Sequence, residues 1–200
     1  MEKDGTQEKI LIAASKVFQS KGMAGARMQD IADKAGINKA LLHYYFSSKE
    51  KLFNVIFKEA FSTFFPKINA LIDADNSLDE KIQGFCREYI DMLLKNPYLP
   101  LFVLNEINSH PDRLAKKMWK NQPTPFQRFA THVKEEIKKK KIRAVTPAEI
   151  FINMLSMCIF PFIAKPLWMA ASGMNEMAFR NFMEERKLEI PKIIIESIKK

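Results

Sequence analysis

Between Met28 and Phe46 the chain reads MQDIADKAGINKALLHYYF, and its apolar spacing fits one arrangement, two short helices joined by a tight turn. Met28, Ile31, Ala32 and Ala35 recur at three- and four-residue intervals and so share one helix face. Gly36 ends that helix, since glycine accepts the left-handed backbone found just past a helix C-terminus. Ile37 plugs the corner, and Asn38 caps the next helix by accepting a backbone N–H. In that second helix Leu42, Tyr45 and Phe46 share a face, and Lys39, Ala40, His43 and Tyr44 lie on the other. A cation, a small residue, an imidazole and a phenol make a poor core. They suit a surface that enters a DNA groove.

The flanks extend this unit. Asp4 and Gln7 have the spacing of a capping box opening a first helix, whose stripe is Ile10, Leu11, Ala14, Val17 and Phe18 and whose stop is Gly22. Ser47 and Glu50 form a second such box. The helix it opens carries Leu52, Phe53, Ile56, Phe57, Ala60 and Phe64 until Pro66, which is predicted to bend or break it.

Gly22, Met28, Ile31-Ala32, Ala35-Gly36-Ile37, Leu42, Tyr45-Phe46 and the run Lys49 to Leu52 together resemble the N-terminal DNA-binding domain of the TetR family of bacterial regulators. The resemblance covers roughly the first 60 residues and implies an all-α protein. It would have a three-helix helix-turn-helix domain over residues 1–50 and a larger helical ligand-binding and dimerisation domain over 51–200. By position in the family motif, Lys39, Ala40, Leu41 and His43 match base-facing sites. Tyr44 matches one that holds a phosphate or base edge, and Asn38, Tyr45 and Lys49 match backbone-contacting sites. Leu42 fits the core, and Tyr45 fits either core or DNA backbone. The sequence departs from the pattern at three places. Arg27 replaces a threonine that caps the second helix and touches phosphate, and a guanidinium can hold phosphate but cannot accept a capping hydrogen bond. His43 replaces a tyrosine, and Leu41 a small or polar residue. These changes leave DNA binding as the expectation and the operator sequence open.

The rest of the chain also reads as helices. Ser77 with Glu80 caps one carrying Leu78, Ile82, Phe85, Tyr89 and Met92-Leu93, which Asn96-Pro97 ends. Pro100 to Ile107 and Asp112 to Lys120 read as short helices, followed by a break at Pro123-Thr124-Pro125. Phe126 to Lys141 is amphipathic. Thr146-Pro147-Ala148-Glu149 combines a cap, an N1 proline and an N3 glutamate. The helix it opens is apolar nearly all round, runs to Gly173 and must be covered by something. Two further helices follow, split near Ile190-Pro191. An excess of aromatics and methionines points to a cavity for an apolar molecule, with Phe85, Tyr89, Phe102, Trp119, Phe129, Met154, Met157, Phe160 and Trp168 as candidate lining residues. Core packing is the competing role for most of them.

Charge does not locate the DNA-binding part. The net charge is +9, yet residues 1–65 hold 10 basic and 7 acidic side chains, whereas residues 113–143 hold 11 and 2. The run Lys138 to Lys141 reads as a solvated helix end beside the negative end of the helix dipole. Ile150 to Ala171 is broken by Lys165 and by prolines, and falls short of the roughly 20 apolar residues a membrane span needs. Cys86 and Cys158 read as separate buried thiols, consistent with a reducing cytosol. The histidines His43, His110 and His132 have no metal-ligand spacing, and no phosphate loop or nucleophile motif is present. No cofactor and no catalysis are expected.

The sequence therefore points to a cytoplasmic homodimeric transcriptional regulator. It would bind a palindromic double-stranded operator and be released by a small hydrophobic ligand. Repression is the expected sign, with activation the other sign such a protein can carry. The reading from another class is a helical small-molecule or lipid-binding interaction protein, whose apolar body is the working part.

Overall fold

The computed structural model describes residues 2–109 and 124–200, and every regular element among them is helical. Ten helices follow in order: α1 (Glu2–Gly25), α2 (Met28–Ala35), α3 (Lys39–Tyr45), α4 (Lys49–Asp73), α5 (Leu78–Lys95), α6 (Leu99–Ser109), α7 (Pro125–Lys138), α8 (Pro147–Ile163), α9 (Lys165–Ser172) and α10 (Glu176–Ile198). The segment Asp112 to Lys120, expected as a helix, lies outside the described residues.

Two apolar clusters organise these helices. In the first, Ile10, Ala14 and Phe18 of α1 meet Ile31 and Ala32 of α2, Leu42 of α3, and Leu52, Phe53 and Ile56 of α4. Tyr98 and Leu99, at the turn between α5 and α6, reach back into this cluster. The rings of Phe18 and Phe53 lie 5.2 Å apart, and Tyr98 closes the triangle at 5.7 Å from Phe53. The second cluster gathers the later half of α4 with α5, α7, α8 and α10. Helix α4 thus belongs to both clusters, and α5 is the hub of the second, packing on α4, α7, α8 and α10.

Capping chemistry sets most of the boundaries. Ser77 caps α5, Thr124 caps α7 and Thr146 caps α8, each with the reciprocal bond from Glu80, Gln127 or Glu149. Elsewhere the boundaries differ from expectation. Helix α1 begins at Glu2, upstream of Asp4; at Gly22 its helical backbone is interrupted as expected, at φ 66° and ψ 174°, and a short further turn runs to Gly25. Ser48, not Ser47, caps α4, its hydroxyl accepting the Lys51 N–H.

Neither Pro66 nor Pro191 breaks its helix; α4 and α10 run through them. An internal proline costs about 3 kcal/mol. Burying one isoleucine side chain contributes roughly 1.5–3 kcal/mol, and the turns beyond Pro66 bury Ile68 and Ile72. Those beyond Pro191 bury Ile194, Ile195 and Ile198. Conversely, the apolar stretch from Pro147 to Ser172 is two helices, α8 and α9, bent by 70° at Ala164. Pro166 accounts for the break, because it has no N–H to donate to the Phe162 carbonyl and its ring crowds that carbonyl, whereas the first turn of α9 accommodates it. Helix α7 stops at Lys138, three residues early, where Lys140 takes a left-handed φ of 60°. Its N–H donates to the Ile137 carbonyl and that of Lys141 to the Glu136 carbonyl. Among the described residues no single helix is long and apolar enough to cross a membrane, and α8 with α9 reaches that length only across the bend.

Candidate functional site

The α2–α3 corner is built from Gly36, whose φ of 69° and ψ of 33° would strain any residue with a Cβ. Its N–H donates to the Asp33 carbonyl, and the Ile37 N–H donates to that of Ala32 at 3.0 Å. Asn38 then caps α3, its Oδ1 accepting the Leu41 N–H at 2.7 Å. Leu42 and Phe46 turn inward against Ile31 and Ala32. That rotation leaves Lys39, Ala40, Leu41, His43 and Tyr44 exposed on the opposite side. Tyr44 is 70% exposed. Tyr45 is half-buried, its ring edge-on to that of Tyr44 with centroids 5.5 Å apart.

Arg27 stands exposed before α2 and makes no side-chain cap, as a donor-only group must not. Asp30 supplies the reciprocal half instead, its Oδ2 accepting the Arg27 N–H at 3.1 Å. The Lys21 ammonium, 2.9 Å from Asp30, holds that carboxyl below its usual range. Lys49 behaves differently from the rest of the set. Its ammonium donates to the carbonyls of Met23 at 2.8 Å and Ala26 at 3.2 Å, tying the start of α4 to the kinked end of α1. Lys51, Asn54 and Val55 of α4 join His43 to Ser47 around a hollow of about 440 Å³ at the edge of this face. Sequence reasoning had assigned nothing to them. The signal was present in Lys51 and Asn54, one turn apart and off the stripe of Leu52, Phe53 and Ile56.

The aromatic residues of the body do not converge on one space. Phe85, Tyr89, Phe129 and Met154 are buried in the body cluster, with Phe85 5.5 Å from Tyr89 and 5.7 Å from Phe151. Burial pushes the Tyr89 phenol up. Met157 is half-buried, and its carbonyl accepts from Arg186 at 2.9 Å. Phe160 and Trp168 are exposed on α8 and α9, where Trp168 leans on Phe182. Phe102 lies on α6, but its side chain, like all of Trp119, is outside the described residues. A separate cleft of about 580 Å³ opens between α1, α4 and α5, beside Ile12, Ala60, Phe64 and Met92. None of the lining candidates borders it.

The two cysteines are not separate, because the Cys86 thiol on α5 neighbours that of Cys158 on α8 and, with burial, pushes Cys158 up. A distance of 72 residues along the chain hid this pair from the sequence. Among the described residues no three His, Cys, Asp or Glu side chains are grouped to hold a metal ion.

The model of the bacterial regulatory proteins, tetR family, matches residues 10–56, from the stripe of α1 to the first turns of α4. The HTH-type transcriptional repressor NicS of Pseudomonas putida is 41% identical over 61 residues, 30% of this chain and 29% of that protein. The HTH-type transcriptional activator FasR of Mycolicibacterium smegmatis is 43% identical over 53 residues, 26% of this chain and 24% of its own length. The chain therefore spans less than a third of either relative. Over the whole fold, the structure of the ketosteroid transcriptional regulator KstR2 of Mycobacterium tuberculosis superposes with a TM-score of 0.70 at 16% identity, covering 97% of this chain and 95% of that one. The sequence match to the bacterial regulatory proteins, tetR family, thus lies in the helix-turn-helix segment, and the helical body that follows shares the fold of a regulator of known structure.

Proposed function

We propose that this protein is a ligand-responsive transcriptional regulator that binds a palindromic operator as a homodimer and lets go of it when a small apolar molecule binds. The observation that carries the reading is the outward face of α3. Lys39, Ala40, Leu41, His43 and Tyr44 are exposed together on a helix whose inner face is locked by Leu42 and Phe46. Lysine can donate to guanine O6 and N7, alanine and leucine can touch a thymine methyl, and the phenol suits phosphate. Arg27, Asn38, Tyr45 and Lys49 surround that face as backbone contacts.

One recognition helix buries too little surface for an operator, so two copies would read two half-sites. Support for a dimer comes from α8, α9 and α10, where Ile152, Phe160, Leu167, Trp168, Met177 and Leu188 are exposed. Residues 1–50 would form the DNA-binding domain and 51–200 the ligand-binding and dimerisation domain, with α4 shared between their cores. The ligand would lie within the body near Phe85, Tyr89, Phe129 and Met154, with Phe102, Trp119, Met157, Phe160 and Trp168 as the remaining lining candidates. Repression in the cytoplasm, without cofactor or catalysis, completes the reading.

Selection of bound fragments from random duplex DNA tests it. The expected result is a palindromic consensus that the protein also finds upstream of its own gene. Failure to enrich any sequence, together with no mobility shift at low salt, would overturn it and favour the interaction-protein alternative.

A further inference from the structure

Lys81 and Glu136 are the buried charged residues among those described, and Lys81 is only 5% exposed. The Lys81 ammonium donates to the Ile72 carbonyl at 2.8 Å, next to the last residue of α4. It also lies 3.0 Å from Nδ1 of His132 on α7. An ammonium is a donor only, so Nδ1 must carry a lone pair and the ring must be the neutral Nε2–H tautomer. A proton on Nδ1 would leave two cations facing each other with no acceptor between them. Among the described residues no carboxylate pairs with Lys81 to offset that repulsion.

The surroundings favour the neutral ring. Burial and the Lys81 charge hold the His132 pKa below its ordinary value, against the opposing pull of Glu136 and Glu135, with Lys139 adding to the depression. Glu136 is itself shared by Lys139 and Lys141, both at 3.2 Å. From α4, Asp73 is taken by Arg128, one turn before His132. Helix α8, which also packs on α7, has Glu149 engaged in its own capping box and the buried Cys158.

We propose that the Lys81–His132 contact is a proton-released latch that holds α5 and α7 to the end of α4 while the imidazole is neutral. When His132 takes a proton, Lys81 and α7 separate and the last turn of α4 loses a tie to the body. Helix α4 starts beneath the recognition helix and ends at this latch. Operator affinity therefore falls as the pH falls, a consequence that rests on the regulator reading, whereas the latch itself does not.

The sign follows from linkage. A histidine whose pKa is lowered by folding contributes stability that is full above about 6.5, its unfolded value, and lost as the pH falls through the lower folded value. The test begins with NMR titration of the imidazoles in this 200-residue chain, which has 3 histidines, His132 being assigned with His132→Asn. The His132 midpoint is expected below the ordinary value, and Lys81→Met is expected to raise it. His132→Asn keeps an acceptor oxygen near the Nδ1 position but takes no proton. Its Tm at pH 7.5 should match the parent, and at pH 5.5 should exceed it by about 2–4 °C. Between those pH values operator affinity of the parent should fall about five-fold or more, relative to His132→Asn, a comparison that cancels any titration of His43. A His132 midpoint at or above the ordinary value, or one unmoved by Lys81→Met, would overturn the latch. Normal titration with equal pH dependence of operator affinity in both proteins would overturn its link to α4. Failure to bind any duplex at either pH would instead remove the regulator reading, and the imidazole titration and Tm still decide the latch.

Discussion

At the scale of single residues, the turn chemistry was open to reading because it is local. Gly36 and Asn38 act within four residues of their partners, and each does in the structure what its chemistry dictates. Lys49 and Lys81 were not, since their partners lie 23 and 51 residues away. Lys49 now carries two separable expectations. Lys49→Ala removes the donor shared by the carbonyls of Met23 and Ala26, a loss of about 1 kcal/mol. Thermal unfolding without DNA should therefore show a Tm lower by about 2–4 °C. If the ammonium also reaches phosphate, the same variant weakens binding to every duplex and flattens the salt slope by about one unit. A normal salt slope with a lowered Tm would leave Lys49 as a structural tie alone. Lys39→Ala and His43→Ala, on the exposed face, should leave Tm unchanged and alter preference at particular base pairs in a selection experiment.

At the scale of helices, starts were more legible than ends. A capping box is written in four consecutive residues, so Ser77 and Thr146 could be placed from sequence. Whether a proline ends a helix depends on what the following turn buries, which sequence does not display; hence the split expected at Pro191 is absent, and Pro66 does not break α4. The packing of α4 on α5 likewise depends on a residue with no local signal. A Cβ added to Gly84 would lie 2.6 and 2.7 Å from the Leu71 methyl carbons. Alanine there gains helix propensity of up to about 1 kcal/mol against the shift of those methyls, so the two terms nearly cancel. Valine adds bulk with no such gain. Gly84→Val should destabilise by about 1–3 kcal/mol through overpacking, read as a lower midpoint in urea with unchanged slope. An unaltered midpoint would mean that Leu71 swings aside freely and the α4–α5 contact is loose.

At the scale of the whole molecule, the all-α class and the helix-turn-helix were legible because hydrophobic periodicity encodes both. The burial of the body aromatics was not, since Phe85 and Phe160 look alike in sequence and differ only in what packs over them. Phe160 is 63% exposed and Leu188 76%, so neither supports the single-chain core, and their substitution tests the dimer directly. Phe160→Asp or Leu188→Asp should yield folded monomers, with a far-UV spectrum and Tm near the parent's. Sedimentation at micromolar concentration checks this. A dimer that survives both changes would place the two-fold contact elsewhere. The remaining expectation concerns coupling between ligand and operator. A ligand shifts a conformational equilibrium only through its different affinity for the two states. Helix α4 connects the two clusters, so on the proposed reading a molecule prising Phe85, Tyr89 and Phe129 apart would change the seating of α4 and the spacing of two recognition helices. Coupling of roughly 1–3 kcal/mol lowers operator affinity by about five- to 150-fold, and linkage requires operator DNA to weaken ligand binding by the same factor. Hydrophobic compounds that raise Tm are the starting set, and each is then titrated with and without operator. Equal affinity in both titrations would make the compound a passenger in the body and leave the regulator without its effector.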